Sequence, residues 1–497
     1  MRPDCGCLPR REFGVLLHIS SLPAAGVGGD LGPDAYRFVD FLSAAGAGVW
    51  QVLPLVPTHL CGSPYHGRSI HAGNQLFISV IQLHRDRLIS DESLQAYRDE
   101  LSDGSGGVAA HRCALEHAYR NRNRESGFAD EFSRFWQDND HWVSDYALYR
   151  VLNSMHDAAP WYRWPPPLRD REPGALIEVR RRHREPIEFV VFEQYLFWRQ
   201  WRSLKDYTNQ RGIRIMGDLP IFPAHDSAEV WSHPHYFQLD SAGGAINVAG
   251  VPPDYFSATG QRWGNPVYDW ERLRADGFIW WVDRIRLQLE YFDLLRLDHF
   301  RGFESYWSIP AASEDAIQGR WEQVPGTELF ETLAPKSPAL VAEDLGSITP
   351  EVLELRRRFG LPGMRVLQFA FDGQADNLHL PHNHELCSAV YTGTHDNQTT
   401  LGWFQGLSTE HQQRIYGYLG LSQEPMPWAL TRAAMASVSR LAMIPMQDVM
   451  ALDDRARMNT PGTDSGNWSW RFAWTEVPAE AADRLHHLAS VYGRLPG

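Results

Sequence analysis

Four carboxylates follow directly on short apolar runs: Asp218 after RIMG, Asp298 after LLRL, Glu343 after LVA, and Asp396 within YTGTHDN. Arg296 stands two residues before Asp298, and His395 immediately precedes Asp396. One such acid alone reads equally well as a helix cap or as the partner of a nearby Arg. Four at the ends of different runs raise one another's pKa and cost stability, so a set of this kind marks a site. Without metal or cofactor, the chemistry that needs such a set is cleavage of a glycosidic bond. One carboxylate stays ionised as nucleophile or water activator, and another stays protonated to serve the leaving oxygen. Side chains two apart on a strand share a face, so the fixed charge of Arg296 sits beside Asp298 and suits it to be the nucleophile. Glu343, behind Leu340, Val341 and Ala342, lies where desolvation raises a carboxyl pKa, which suits it to be the acid/base. Asp396 and His395 are expected to grip sugar hydroxyls and to help keep Glu343 protonated.

Elements that could position these groups recur along the chain. Eight β-rich apolar segments, each bounded by Gly or Pro, lie at 14–20, 48–57, 212–222, 292–300, 339–346, 364–371, 389–397 and 441–449. Continuous apolar runs suit strands buried on both faces, and helix-like stretches separate them. Ala35, Phe38, Val39 and Leu42 keep helical spacing before Gly46, as do Phe278, Val282, Ile285, Leu289 and Phe292 before the fourth run. Thr349-Pro350-Glu351 reads as a helix start with a capping Thr. The expected fold is therefore α/β, a (β/α)₈ TIM barrel with large, mainly helical insertions on its C-terminal loop face. Residues 1–497 form one catalytic barrel. About 58–211 is an inserted helical subdomain, with long helices over 128–153 and 186–210, and about 223–275 is an ordered active-site loop region. The run Arg180–Arg182 with His183 and Arg184 reads as a solvated helix end.

Composition narrows the partners. Lys and Arg number 47 against 61 Asp and Glu, a net charge of −14, which excludes general electrostatic binding of nucleic acid. With 19 Trp, 18 Tyr and 23 Phe the chain is rich in aromatics, which suit either a large core or the stacking of sugar rings. The five cysteines form no evident disulfide framework, and Cys5-Gly-Cys7 reads as a reduced tail. No signal peptide or spanning stretch is present in the sequence, so a cytoplasmic location is expected. GxSxG, GxxxxGK[ST] and HExxH are absent from the sequence. A metal hydrolase would need several His at run ends, where only His18 and His395 stand.

The strings GSPYHGRSIHAGN (62–74), GDLPIF (217–222), GVPPDYFSATGQRWGNPVYDW (250–270), RLDHFRGF (296–303), AEDLG (342–346), YTGTHDNQTT (391–400) and ARMNTPGTDSGNWSWR (456–471) resemble the amylomaltases, the 4-α-glucanotransferases or disproportionating enzymes. The resemblance runs from about residue 13 to 475. It implies a retaining α-amylase-like barrel that cuts α-1,4-glucans and passes the glucosyl enzyme to the 4-hydroxyl of another sugar, with maltooligosaccharides, amylose or glycogen as donor and acceptor and no cofactor or metal. It assigns Asp298 as nucleophile, Glu343 as acid/base and Asp396 as third carboxylate. Arg296, His395 and Asp218 complete the donor site, Tyr65 resembles the family's stacking platform, and Ser63 beside it is a substrate-binding residue. Gln261, Trp263 and Asn265 overhang the cleft, and Asn467 lines the acceptor side. Cys61, His66, Gln75, Ser347 and Gln398 depart from the family's usual strings. A hydrolase on the same barrel shares the glycosyl enzyme and differs only in the acceptor. A non-catalytic glucan-binding scaffold would need the aromatics without the acids.

Overall fold

The computed structural model describes residues 5–23, 26–102, 107–122, 127–253, 257–336, 339–420, 424–463 and 465–496. Among these residues the strands are β1 (Glu12–Leu16), β2 (Val49–Gln51), β3 (Arg214–Leu219), β4 (Asn247–Val251), β5 (Gln261–Pro266), β6 (Leu294–Leu297), β7 (Ser305–Pro310), β8 (Arg320–Gln323), β9 (Leu340–Ala342), β10 (Gly363–Val366), β11 (Ser388–Tyr391) and β12 (Leu441–Pro445). Eight of them form one sheet in the order β10-β11-β12-β1-β2-β3-β6-β9, with paired neighbours parallel. The two ends of that order meet where Ala342 N–H donates to Pro362 O at 2.8 Å and Met364 N–H donates to the Asp344 carboxylate at 2.6 Å. The sheet is thus a nearly closed barrel, and its eight strands are the eight apolar runs of the sequence.

Alternation along each strand separates two apolar faces. Leu16, Val49, Met216, Leu294, Val341, Met364, Tyr391, Leu441 and Met443 belong to one buried cluster, which fills the barrel together with Cys5 and Leu8 from the N-terminal segment. Phe13, Val15, Trp50, Ile215, Leu295, Val390 and Ile444 belong to the other, which packs against the helices. Burial on both faces is why these strands read as unbroken apolar runs. At Gly14 no side chain could fit, since a Cβ would stand 2.6 Å from Val49 O on the neighbouring strand.

Between β2 and β3 the chain is mainly helical, with long helices at Phe128–Met155 and Arg184–Gln210. The second has two jobs. Its first half packs aromatics against the 128–155 helix, as in Phe128 on Tyr195 and Phe135 on Trp198. Its second half returns to the barrel, where Trp201 Nε1–H donates to Tyr291 O and its ring meets Phe292, so this helix is also the crossover into β3. Part of the aromatic surplus is therefore core. At the Pro173–Arg182 helix end, Arg180 pairs with Asp145 and Arg181 with Glu178 at the surface, the solvated helix end expected of that run.

Three expectations are corrected. Much of 223–275 is not loop, because β4 and β5 join β7 and β8 in a second, antiparallel sheet in the order β5-β4-β7-β8. Residues 254–256 of its long string lie outside the described residues. Cys5 is no frayed thiol either: it is buried and disulfide-bonded to Cys387, 382 residues away, with Cα atoms 5.0 Å apart. The N-terminal segment folds under the barrel beside the start of β11, a proximity that linear spacing cannot reveal. Thr349 does stand at the N-cap of Pro350–Arg358, with Pro350 in the first turn, but its side chain makes no capping hydrogen bond. Among the described residues no helix is long and apolar enough to cross a membrane.

Candidate active site

Strand parity carries the carboxylates inward. Met216, Leu294 and Val341 face the barrel interior, so Asp218, Arg296, Asp298 and Glu343, at even offsets from them, point to the same side at its C-terminal mouth. Leu297 pairs with Ala342 in the β6–β9 register, which leaves Asp298 and Glu343 side by side on the next step. Backbone bonds fix that step: Asp298 N–H donates to Leu219 O at 3.1 Å, Glu343 N–H to Leu297 O at 3.0 Å, and Phe300 N–H to Glu343 O at 3.0 Å. Asp344, one residue on, turns outward to Arg356 and Arg365 at 3.3 Å and serves the barrel seam instead.

The charges are linked through one guanidinium. Arg296 Nη1 donates to both oxygens of Asp218, at 2.9 and 2.8 Å, and to Asp298 Oδ1 at 2.8 Å. Burial pushes the Asp218 carboxyl up to about 7, against the pull of Arg296. Glu343 is pushed up to about 8, first by burial and further by the charge of Asp298, while Arg296 pulls it down. Its two oxygens accept N–H groups from His299 at 2.7 Å and Leu345 at 3.0 Å. His299 reaches that geometry with φ +52°, a left-handed conformation unusual for a side-chain-bearing residue and costly enough to signal a constrained site. The neighbouring carboxylate charge that most raises Glu343 is Asp298.

A second arm closes over the first. Tyr65 donates its hydroxyl to Asp218 Oδ2 at 2.9 Å, and its ring lies on that of His395, with centroids 5.1 Å apart and planes 11° apart. His395 is buried and therefore held neutral, with its pKa below the ordinary value. Its Nε2 stands 3.3 Å from Asp396 Oδ1, which also accepts Asn459 Nδ2–H at 2.6 Å. Asp396 is the open member of the set, its side chain 44% exposed.

The remaining predicted residues divide. Trp263 joins the cluster, its ring edge-on to His299 at 4.9 Å, and its Nε1–H donates to Gln261 Oε1 at 3.2 Å. Ser63 stays with its own turn and accepts Tyr65 N–H at 3.3 Å. Asn265 is turned away, donating to Pro223 O at 2.9 Å, and ties β5 to the segment after β3. Asn467 is held within its own loop, accepting from Thr460 N–H and donating to Thr463. Its neighbour Trp468, which the motif reading passed over, has φ +62° and sets its ring 6.0 Å from both Tyr65 and His395. His299 and Asn459 were passed over as well.

A parallel barrel with paired carboxylates, a shared Arg and aromatic rings at its mouth is the arrangement of an enzyme that works on glycosidic bonds. The comparisons give the family within it. The family model described as 4-alpha-glucanotransferase matches residues 17–476. A 4-alpha-glucanotransferase of Thermus thermophilus is 46% identical over 98% of this chain and 99% of its own length, and one of Synechocystis sp. is 44% identical over 98% and 99%. The amylomaltase of Streptococcus agalactiae, solved with acarbose, superposes with a TM-score of 0.93 at 35% identity, over 98% of this chain and all of that one. The chain belongs to the 4-alpha-glucanotransferase family.

Proposed function

We propose that the protein disproportionates α-1,4-glucans as a single catalytic barrel, with Asp298 and Glu343 as the reacting pair and with maltooligosaccharides and longer α-glucans as both donor and acceptor. The observation that carries this reading is the pair itself, side by side one residue past the ends of β6 and β9, one facing Arg296 and the other buried and pushed up to about 8. Arg296 engages Asp298 Oδ1, which leaves Oδ2 to attack the anomeric carbon. As that bond forms, the glycosidic C–O bond breaks and Glu343 gives its proton to the departing oxygen. A sugar 4-hydroxyl then enters the vacated side, yields its proton to the Glu343 carboxylate and attacks the same carbon, releasing Asp298. Asp396 and His395 hold the hydroxyls of the donor sugar, and the Tyr65 ring stacks on it.

The helical insertion between β2 and β3 and the 223–275 region flank the mouth and decide which acceptor enters. Water and a sugar compete for one intermediate, so the outcome turns on positioning and exclusion worth a few kcal/mol. The test is isotopic. Maltotriose incubated with labelled glucose should yield maltose and longer maltooligosaccharides labelled at the reducing end; label that stays in free glucose while maltotriose is consumed would leave a hydrolase. Replacing Trp263 by Ala removes the ring against His299 and should lower labelled transfer about 10-fold while the formation of new reducing ends, which only hydrolysis supplies, falls less, a shift in the ratio of the two rates. An unchanged ratio would remove Trp263 from the acceptor side.

A further inference from the structure

The segment that presents His395 and Asp396 has no strand to lie on. It leaves β11 at Tyr391 and runs through Thr392 to the start of the Thr400–Gln405 helix. Both its ends converge on one carboxylate, Asp448, in the first turn after β12. Asp448 Oδ2 accepts the Thr392 hydroxyl at 2.6 Å and the Thr400 hydroxyl at 2.6 Å, and Oδ1 accepts Thr400 N–H at 2.9 Å. The residue is 1% exposed, and among the described residues no cation pairs with it. A buried carboxylate satisfied only by neutral donors is costly, and a neutral side chain of the same shape could fill the space.

The same stretch of chain grips the segment elsewhere. Asp454 accepts Thr399 N–H at 3.0 Å and the Gln398 side-chain amide. Arg457 donates to Asp396 O at 2.8 Å, Asn459 N–H to His395 O at 3.1 Å, and Asn459 Nδ2–H to Asp396 Oδ1 at 2.6 Å. The fit is close: a Cβ on Gly402 would stand 2.5 Å from Asp454 Oδ1. Every one of these bonds acts on residues 392–400, and none touches the space between Asp298 and Glu343.

We propose that Asp448 is a positioning residue for the transfer reaction, closing the 392–400 segment into a rigid loop that holds His395 and Asp396 level with Asp298 and Glu343. This rests on the reading that His395 and Asp396 grip the donor sugar. Two oxygens accept three donors there, and an ionised carboxylate can do so with both threonine hydroxyls pointing inward. An amide has one accepting oxygen and must turn at least one hydroxyl round. The loop then loosens without a change in volume.

The test is a double-mutant cycle on kcat/KM for maltotriose at a temperature where circular dichroism reports all variants folded. D448N should lose about 10- to 100-fold in the wild-type background, the cost of misplacing gripping groups by a fraction of an ångström to an ångström. In the H395A background, where part of the grip is already gone, D448N should lose under about 3-fold, because both changes act through one loop. T400V, which removes one of the three donors from the other side, should follow the same non-additive pattern with a smaller loss, and it carries the cycle alone should D448N not fold. Wild-type kcat/KM in folded D448N or T400V, or an equal loss in both backgrounds, would overturn the proposal. H395A with full activity would instead overturn the reading of the site on which it rests.

Discussion

Turnover of maltooligosaccharides should fall by at least about 10⁴-fold when Asp298 is replaced by Asn, while glucan binding survives. The amide cannot form the glycosyl ester, so the reaction loses its covalent intermediate and keeps only the surrounding grip. The exchange disturbs little else. The tie from residue 298 to Leu219 O runs through the backbone, and the Asn oxygen can still accept from Arg296. Steady-state rates with maltotriose and calorimetric titration with a maltooligosaccharide separate the two effects. Turnover above a few per cent of wild type, with deamidation excluded by mass spectrometry, would remove Asp298 from the nucleophile's role.

Glu343 should divide the substrates by their leaving groups. Replacing it by Gln should cost about 10²- to 10⁴-fold on maltotriose, whose departing oxygen needs a proton, and far less in the first step with α-glucosyl fluoride, whose fluoride leaves unaided. Equal losses with both donors would show that Glu343 does not act as the acid. The pH dependence follows from the same burial. A carboxyl pushed up to about 8 keeps its proton at neutral pH and loses it as pH rises further, so the wild-type rate should fall on the alkaline side through about pH 8. That limb reports the carboxylate set and not one residue, since Asp218 and Asp298 share Arg296 with it. It should vanish in Glu343→Gln measured on the fluoride.

The barrel was legible because its strands are buried on both faces. RIMGDL or LAMIP has no polar alternation to confuse with a helix, and the residue after each run is necessarily at the mouth. The second sheet left no such trace. Its strand Gln261–Pro266 contains Gly264 at φ +82° and ends in Pro, and Arg320–Gln323 is largely exposed, so neither presents an apolar pattern. The Cys5–Cys387 bond was hidden for a different reason, since closure of the barrel alone brings its two ends together.

Within the site, Asp218, Asp298 and Glu343 were readable from position, and Arg296 from its spacing to Asp298. Asp448 follows an apolar run in the same manner and was not singled out, because its hydroxyl partners lie 48 and 56 residues upstream. Motif likeness did not reveal that the amides of Asn265 and Asn467 also tie their own loops to neighbouring backbone. It stopped one residue short of Trp468, whose orientation depends on a positive φ that residue type does not announce. Side-chain identity indicates what chemistry is possible; the direction in which a loop residue points is set by the hydrogen bonds of its neighbours.

Transfer and hydrolysis leave different counts of chain ends. If a sugar 4-hydroxyl intercepts the glycosyl enzyme, each bond broken is replaced by one formed, and the number of reducing ends stays constant. Maltotriose should give glucose together with maltopentaose and longer chains while total reducing power, followed over the whole time course, remains nearly flat. A steady rise in reducing ends matching glucose release, with no product longer than maltotriose, would contradict the account.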